Sequence, residues 1–230
     1  MDKDRAIVAA ERENIYRCLA ALCLSPPTDA LISMIREGSI LPPIADQASY
    51  MRQFVDQARE IGNLKVELEA EHTALFVLPS GVIPHESAYL DVGKRLGGSV
   101  TIGVADFYKR AGADILDGSI EMPDHLGMEL EFMGFLCGVE RELWDMEECA
   151  ALQKCIDLQM AFLEEHLLKW GFACCEDITD TAQYGFYKAM AQFAIEFLET
   201  EKNHFADLRT CFGEVGKGMG ESSDDTVQAH

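Results

Sequence analysis

Acids and imidazoles at helical spacing are the residues of this chain with the clearest capacity for chemistry. Two Glu-x-x-His pairs occur, Glu69 with His72 and Glu201 with His204. Residues three apart on a helix share a face. Two such pairs with two further inward glutamates hold a pair of irons in some helical bundles. Glu129 and Glu131, inside a strongly apolar stretch, are the candidates for those extra ligands. A glutamate-rich chain with six histidines produces about one such match by chance, and the second pair abuts a glycine-rich end. A di-iron carboxylate bundle is therefore the alternative reading, and the expectation is that no metal or other cofactor is bound.

A second constellation is Met122-Pro123-Asp124-His125, with Glu129 one turn beyond His125. Proline suits a first helical turn, and an acid there complements the helix dipole. Two readings stand. In one, Asp124 only starts a helix and His125 only pairs with Glu129. In the other, a carboxylate and an imidazole at a helix start beside a long loop grip a charged peptide. Nearby carboxylates favour charged His125 while the helix N-terminus opposes it. No Gly-x-Ser-x-Gly elbow, P-loop or dinucleotide-binding glycine pattern is present, and nothing else here advertises catalysis.

Composition narrows the partners. The chain has 230 residues, with 40 acidic against 19 basic, a net charge of −21. Such a field repels phosphate backbones; it attracts a basic peptide and also serves solubility. The eight cysteines form no Cys-x-x-Cys pair, which argues against a zinc site. They are expected as free thiols in a reducing compartment, with Cys18, Cys137 and Cys155 acting as small hydrophobes. No run approaches the roughly eighteen apolar residues of a membrane span. The charged start lacks the layout of a secretory signal, so the cytoplasm is the expected location.

The elements that must position these residues are helices. Apolar residues at intervals of three and four predict helices over 4–24, 28–36, 44–61, 64–77, 104–112, 123–144, 147–170 and 181–199. Leu64, Leu68, Leu75 and Phe76 face inward in the fourth. The stretch 123–144 is apolar around most of its circumference, which marks a buried central helix. Between the two helical halves lies 78–103, with two prolines and five glycines. It reads as a long ordered loop with a turn of helix near Ser87–Asp91, and loops of that length in compact domains are often functional. Ser99 to Val104 is the one run with any strand character, too short to build a sheet. The fold class expected is all-α: a single helical bundle-like domain over 1–212 with a long ordered central loop. Residues 213–230, which lack apolar periodicity, are expected to be a disordered tail.

Several of these stretches resemble, in order, the TorD/DmsD/NarJ family of molybdoenzyme maturation chaperones. Leu75-Phe76 followed by Pro84-His85-Glu86-Ser87-Ala88-Tyr89-Leu90 is similar to that family's Leu-Phe and Pro-x-Glu-Ser-x-Tyr-Leu segment. Phe107-Tyr108 through Ala111-Gly112 resembles its Phe-Tyr-x-x-Ala-Gly helix. Pro123-Asp124-His125 with Glu129-Leu130 and Phe132-Met133 resembles its central signature, and His166-Leu167 with Trp170 its later helix. The segment from Tyr16 to Pro26 also fits. Many members carry an aromatic after the loop proline, where this chain has His85, a departure that bears on leader preference.

The resemblance implies an all-helical cytoplasmic chaperone, not an enzyme. Its implied partner is the catalytic subunit of a molybdopterin oxidoreductase of the DMSO-reductase type. Such a chaperone binds the twin-arginine leader or N-terminus of that subunit and holds back export until cofactor insertion. By motif match the leader-binding region takes in Asp124, His125, Pro84 and Glu86. Tyr89, Leu75 and Phe76 are candidate apolar walls, and Glu129 lies alongside. A twin-arginine leader offers two guanidinium groups and an apolar helix. Glu86 and Asp124 are the expected acceptors for the guanidiniums, and a helix-lined groove takes the apolar part.

Overall fold

The computed structural model describes the backbone of residues 2–37, 55–56, 58–93, 95–113, 121–146 and 148–218. Among these residues the regular structure is helical, and its one β-type feature is an isolated bridge between His85 and His125. The chain divides into two compact units, Met1–Ile195 and Glu196–His230. No single helix among the described residues is long and apolar enough to cross a membrane.

Helix α1 runs Asp2–Leu24 and α2 Asp29–Glu37. Tyr16, Leu19, Ala20 and Cys23 bury one stripe of α1, and Ser25-Pro26-Pro27 ends it because proline has no amide to continue the ladder. Thr28 caps α2, its hydroxyl accepting from the Leu31 amide at 3.3 Å. The helix expected over 44–61 falls largely outside the described residues. Helix α3, Leu64–His72, continues into a π turn, Thr73–Val77, so its end matches the expected 64–77. Leu64, Leu68 and Leu75 are buried and Phe76 is half-buried.

Beyond α3 the chain folds back at Gly81. The Val82 amide bonds the Leu75 carbonyl at 2.8 Å, and a Cβ on Gly81 would lie 2.3 Å from the carbonyl oxygens of both Ala74 and Leu75. Those oxygens belong to the π turn and cannot step aside. Gly81→Ala should therefore destabilise the fold by about 1 to 3 kcal/mol, the range for forced overpacking, seen as a lower denaturant midpoint.

A short α4, Glu86–Leu90, is the helical turn expected within the loop. Helix α5, Ser99–Arg110, begins five residues before the expected start at 104. Gly97 and Gly98, at φ 86° and 81°, turn the chain in a left-handed conformation that glycine adopts freely. Ser99 to Val104 is thus helix, not strand. Helix α6, Leu126–Met146, starts later than the expected 123 because Asp124 and His125 are engaged in the bridge to the loop.

Helix α7, Cys149–Phe162, passes through a second π turn, Leu163–Leu167, into α8, Leu168–Thr181. The helical path therefore runs past the expected end at 170. Helix α9 spans Gly185–Gly218, beyond the expected 199, and residues 219–230 lie outside the described residues.

The core of the first unit is α1 packed along α6, with α7 beside it. Gly127 lets α6 approach: a Cβ there would stand 2.5 Å from Leu24 Cγ and 3.2 Å from the Ala20 carbonyl oxygen. Farther along the seam, buried Arg12 pairs with Glu140 at 2.7 Å and donates to Gln159 at 2.8 Å, while Gln159 donates to Glu140 at 2.9 Å. A buried charge needs such satisfaction at every donor. Cys137 and Cys155 are buried thiols as expected, whereas Cys18 is exposed.

Candidate functional site

The loop and the start of α6 meet as a two-residue antiparallel bridge. Glu86 N donates to the Asp124 carbonyl and Leu126 N to the Pro84 carbonyl, both at 2.8 Å. Asp124, fully buried, accepts from Ser87 N through Oδ2 at 3.1 Å. Its carboxylate thus caps the loop's helix α4, to which His85 contributes no side-chain cap. His85 Nδ1 stands 3.7 Å from Asp124 Oδ1, inside Coulombic reach and beyond a hydrogen bond. Burial works to raise the Asp124 carboxyl, but the polar groups of His85, Ser87 and Thr101 outweigh it and hold the group below the usual carboxylate range.

His125 caps α6. Its Nδ1 accepts from Gly127 N at 3.0 Å, and its carbonyl takes the Glu129 amide. The side-chain pairing of His125 with Glu129 considered from sequence is replaced by this cap. Burial, then the neighbouring His85, lowers His125 to about 3 against the partial support of Asp124. The imidazole is neutral, and the bond from Gly127 places its proton on Nε2.

Glu129 instead faces Glu86. Trp170 Nε1 donates to Glu129 Oε2 at 3.1 Å, and His166 Nδ1 donates to Glu86 Oε2 at 2.9 Å. Burial, and then the charge of Glu86, pushes Glu129 well above the ordinary carboxyl range, and its Oε1 is buried without a hydrogen-bond partner. Tyr108 closes this end by donating to the Pro123 carbonyl at 2.8 Å. Tyr89 lies over Trp170 with ring centres 5.4 Å apart and donates to Asp177 at 2.7 Å.

The structure thus brings Pro84, Glu86, Asp124, His125 and Glu129 into one buried network, with Tyr89 half-buried at its edge. Leu75 and Phe76 sit on the preceding π turn, where Phe76 packs on His72 and Tyr187 at 5.1 and 5.7 Å. His85 and His166, which the motifs included without giving them a binding role, belong to the network. His166 and Trp170 lie four residues apart, a spacing that puts both on one face. Around them the loop exposes Val77, Leu78, Ile83, Leu90, Val92 and Leu96.

Neither Glu-x-x-His pair builds a metal centre among the described residues. Glu69 reaches out to Lys65 at 3.8 Å, while buried His72 bonds the Cys23 backbone. Glu201 and His204 lie in the second unit. His85, Glu121 and His125 do bring ligand atoms within 4.8 Å of one another. Binding a metal at His125 Nε2 would require the ring proton on Nδ1, where the Gly127 amide already points. The trio is therefore a poor fit for a cation.

Comparison with known proteins follows this geometry. The nitrate reductase delta subunit family matches residues 41–176, which contain the loop, the bridge and the helices carrying His166 and Trp170. A chaperone protein TorD from Vibrio cholerae is 25% identical over 219 residues, covering 90% of this chain and 98% of its own. One from Aliivibrio salmonicida is 23% identical over 72% of this chain and 76% of its own. A crystal structure of a candidate redox enzyme maturation protein from Archaeoglobus fulgidus overlays with a TM-score of 0.48 at 20% identity, covering 83% of this chain and 93% of that one. The TorD relatives are chaperones by name and not enzymes, in line with what the motifs implied. With the family match spanning more than half of its length, the chain belongs to the nitrate reductase delta subunit family, that of the TorD/DmsD/NarJ maturation chaperones.

Proposed function

We propose that this protein is a molybdoenzyme maturation chaperone that acts in the cytoplasm. It binds the twin-arginine leader or untranslocated N-terminal segment of a DMSO-reductase-type catalytic subunit, and holds back export until the cofactor is inserted. The observation that carries this reading is the clamp between the loop and the start of α6. It consists of the Pro84–Leu126 and Glu86–Asp124 backbone pair with its buried carboxylates, beside a loop rich in exposed apolar side chains. Large exposed apolar residues on a loop held this firmly suit capture of an apolar segment. A net charge of −21 suits a segment that also carries arginines.

In this reading Asp124, His125, Glu86, Glu129 and Pro84 set the loop's shape, while Tyr89, Phe76 and Leu75 back the apolar wall. The test is co-expression with a DMSO-reductase-type catalytic subunit of the same organism. The subunit with its leader or N-terminal segment should co-purify with the chaperone, and removing that segment should abolish the complex. Equal recovery with and without it would defeat the reading. Affinity should also fall as salt rises, since charges at exposed contacts are screened over about 10 Å at 0.1 M.

A further inference from the structure

A second polar site lies apart from the bridge. Glu67, Ala70, Glu71, Ala74 and Leu75 of α3 and its π turn face Thr181, Gln183 and Tyr184 across a cavity of about 370 Å³. Glu67 and Glu71 are four residues apart, so one helix face carries both acids. Tyr184 ties them to the other wall. Its hydroxyl donates to Glu67 Oε2 at 2.7 Å, and its amide donates to Glu71 Oε1 at 2.6 Å. Glu71 is 5% exposed, and its second oxygen, Oε2, is buried without a hydrogen-bond partner.

A buried acceptor left without a donor is costly. Burial accordingly raises the Glu71 carboxyl, against the nearby Tyr184 and Gln183 amides and the more distant Lys188 charge. None of the residues lining the cavity is cationic.

We propose that this cavity is a receptor for an arginine side chain, with Glu67 and Glu71 as its acceptors. A planar guanidinium presents several donors in a fixed fork. It can therefore reach both carboxylates while its alkyl stem lies on Ala70, Ala74 and Leu75. Leu75 also belongs to the wall assigned to the leader, so the cavity lies beside that surface. Assigning the arginine to the client's own leader rests on the proposed function; the receptor itself does not.

The experiment follows the Tyr184 amide by NMR while argininamide is titrated into the full chain. A saturable shift is expected with argininamide, a weaker one with lysinamide and none with citrullinamide, which keeps the shape and loses the charge. Glu67→Gln/Glu71→Gln should weaken argininamide about tenfold or more, as for a lost hydrogen bond to a charged group. Glu67→Gln alone, whose amide still accepts from Tyr184, serves if the double variant does not fold. No saturable shift, equal response to citrullinamide, or unchanged binding in the variant overturns the site.

The leader is tested separately. Replacing its arginines by citrulline should weaken binding to the wild type about tenfold and leave binding to the double variant nearly unchanged. An equal loss in both proteins overturns the assignment of the leader's arginine to this cavity. A leader that fails to bind at all while argininamide still shifts Tyr184 defeats the proposed function and leaves the receptor standing.

Discussion

Asp124→Ala should lower the unfolding free energy by about 2 to 4 kcal/mol, the range for breaking a buried polar pair, read as a drop in the denaturant midpoint. The carboxylate is fully buried and caps α4 from a distant segment, through Ser87 N. Alanine leaves that amide unpaired and removes the negative partner that faces His85 at 3.7 Å. If Asp124 only started its own helix, the cost would be about 1 kcal/mol, that of an ordinary cap. Asp124→Asn separates shape from charge. Its amide oxygen still accepts from Ser87, so the variant should fold with a smaller loss, while leader binding weakens modestly because the loop loses the charge that faces His85. Unchanged leader affinity in a folded Asp124→Asn protein would remove this charge from the binding region.

Stability should fall both toward acid and toward alkali, because buried groups are shifted in opposite directions. His125 sits near 3 against an ordinary 6.5. The unfolded chain therefore binds a proton that the native imidazole refuses, and stability falls with acidification between those values. Glu129 is raised from 4.5. It keeps a proton that the unfolded chain releases, so its contribution is fully present below 4.5 and is lost as pH rises toward its native value. Above 4.5 the two effects oppose each other. Below 3.8 the lowered Asp124 adds a further acid loss.

The His125 contribution reaches on the order of 4 kcal/mol over its whole span. Denaturant unfolding across pH checks the pattern. His125→Gln should flatten the acid limb down to about pH 4, and Glu129→Gln, which still accepts from Trp170, should flatten the alkaline limb. An alkaline limb no smaller in Glu129→Gln than in the wild type, where the raised Glu71 also contributes, would show that Glu129 is already ionised in the folded protein.

The helices were legible where periodicity is local. Leu64, Leu68 and Leu75 are spaced for one face, and all three are buried. Ser25-Pro26-Pro27 and Gly112 ended helices as their backbone preferences require. The start of α5 was not legible, because two glycines at positive φ launch the helix earlier than apolar spacing suggests. Neither π turn was legible, since a single wide turn barely disturbs the pattern of buried residues.

The candidate site was legible as a collection of residue types but not as a network. Glu86 meets His166 across 80 positions of sequence, and Asp124 meets Ser87 across 37. No local pattern predicts such partners. The charge on His125 likewise depended on a donor two residues away together with burial by distant helices. The Glu-x-x-His motifs failed for a related reason: correct spacing along a helix does not ensure that both members face the same interior. Glu69 is half-buried and turns to Lys65, while His72 is buried.

The proposed function requires that this chain capture a basic, apolar leader or N-terminal segment. Isothermal titration of a synthetic peptide of that segment, from a DMSO-reductase-type catalytic subunit of the same organism, into the wild-type chain tests this. Saturable one-to-one binding is expected, weakening as salt rises from low to about 0.2 M, because the acidic surface and the arginines lose part of their attraction. No saturable heat at low salt, with the chain folded, would contradict it.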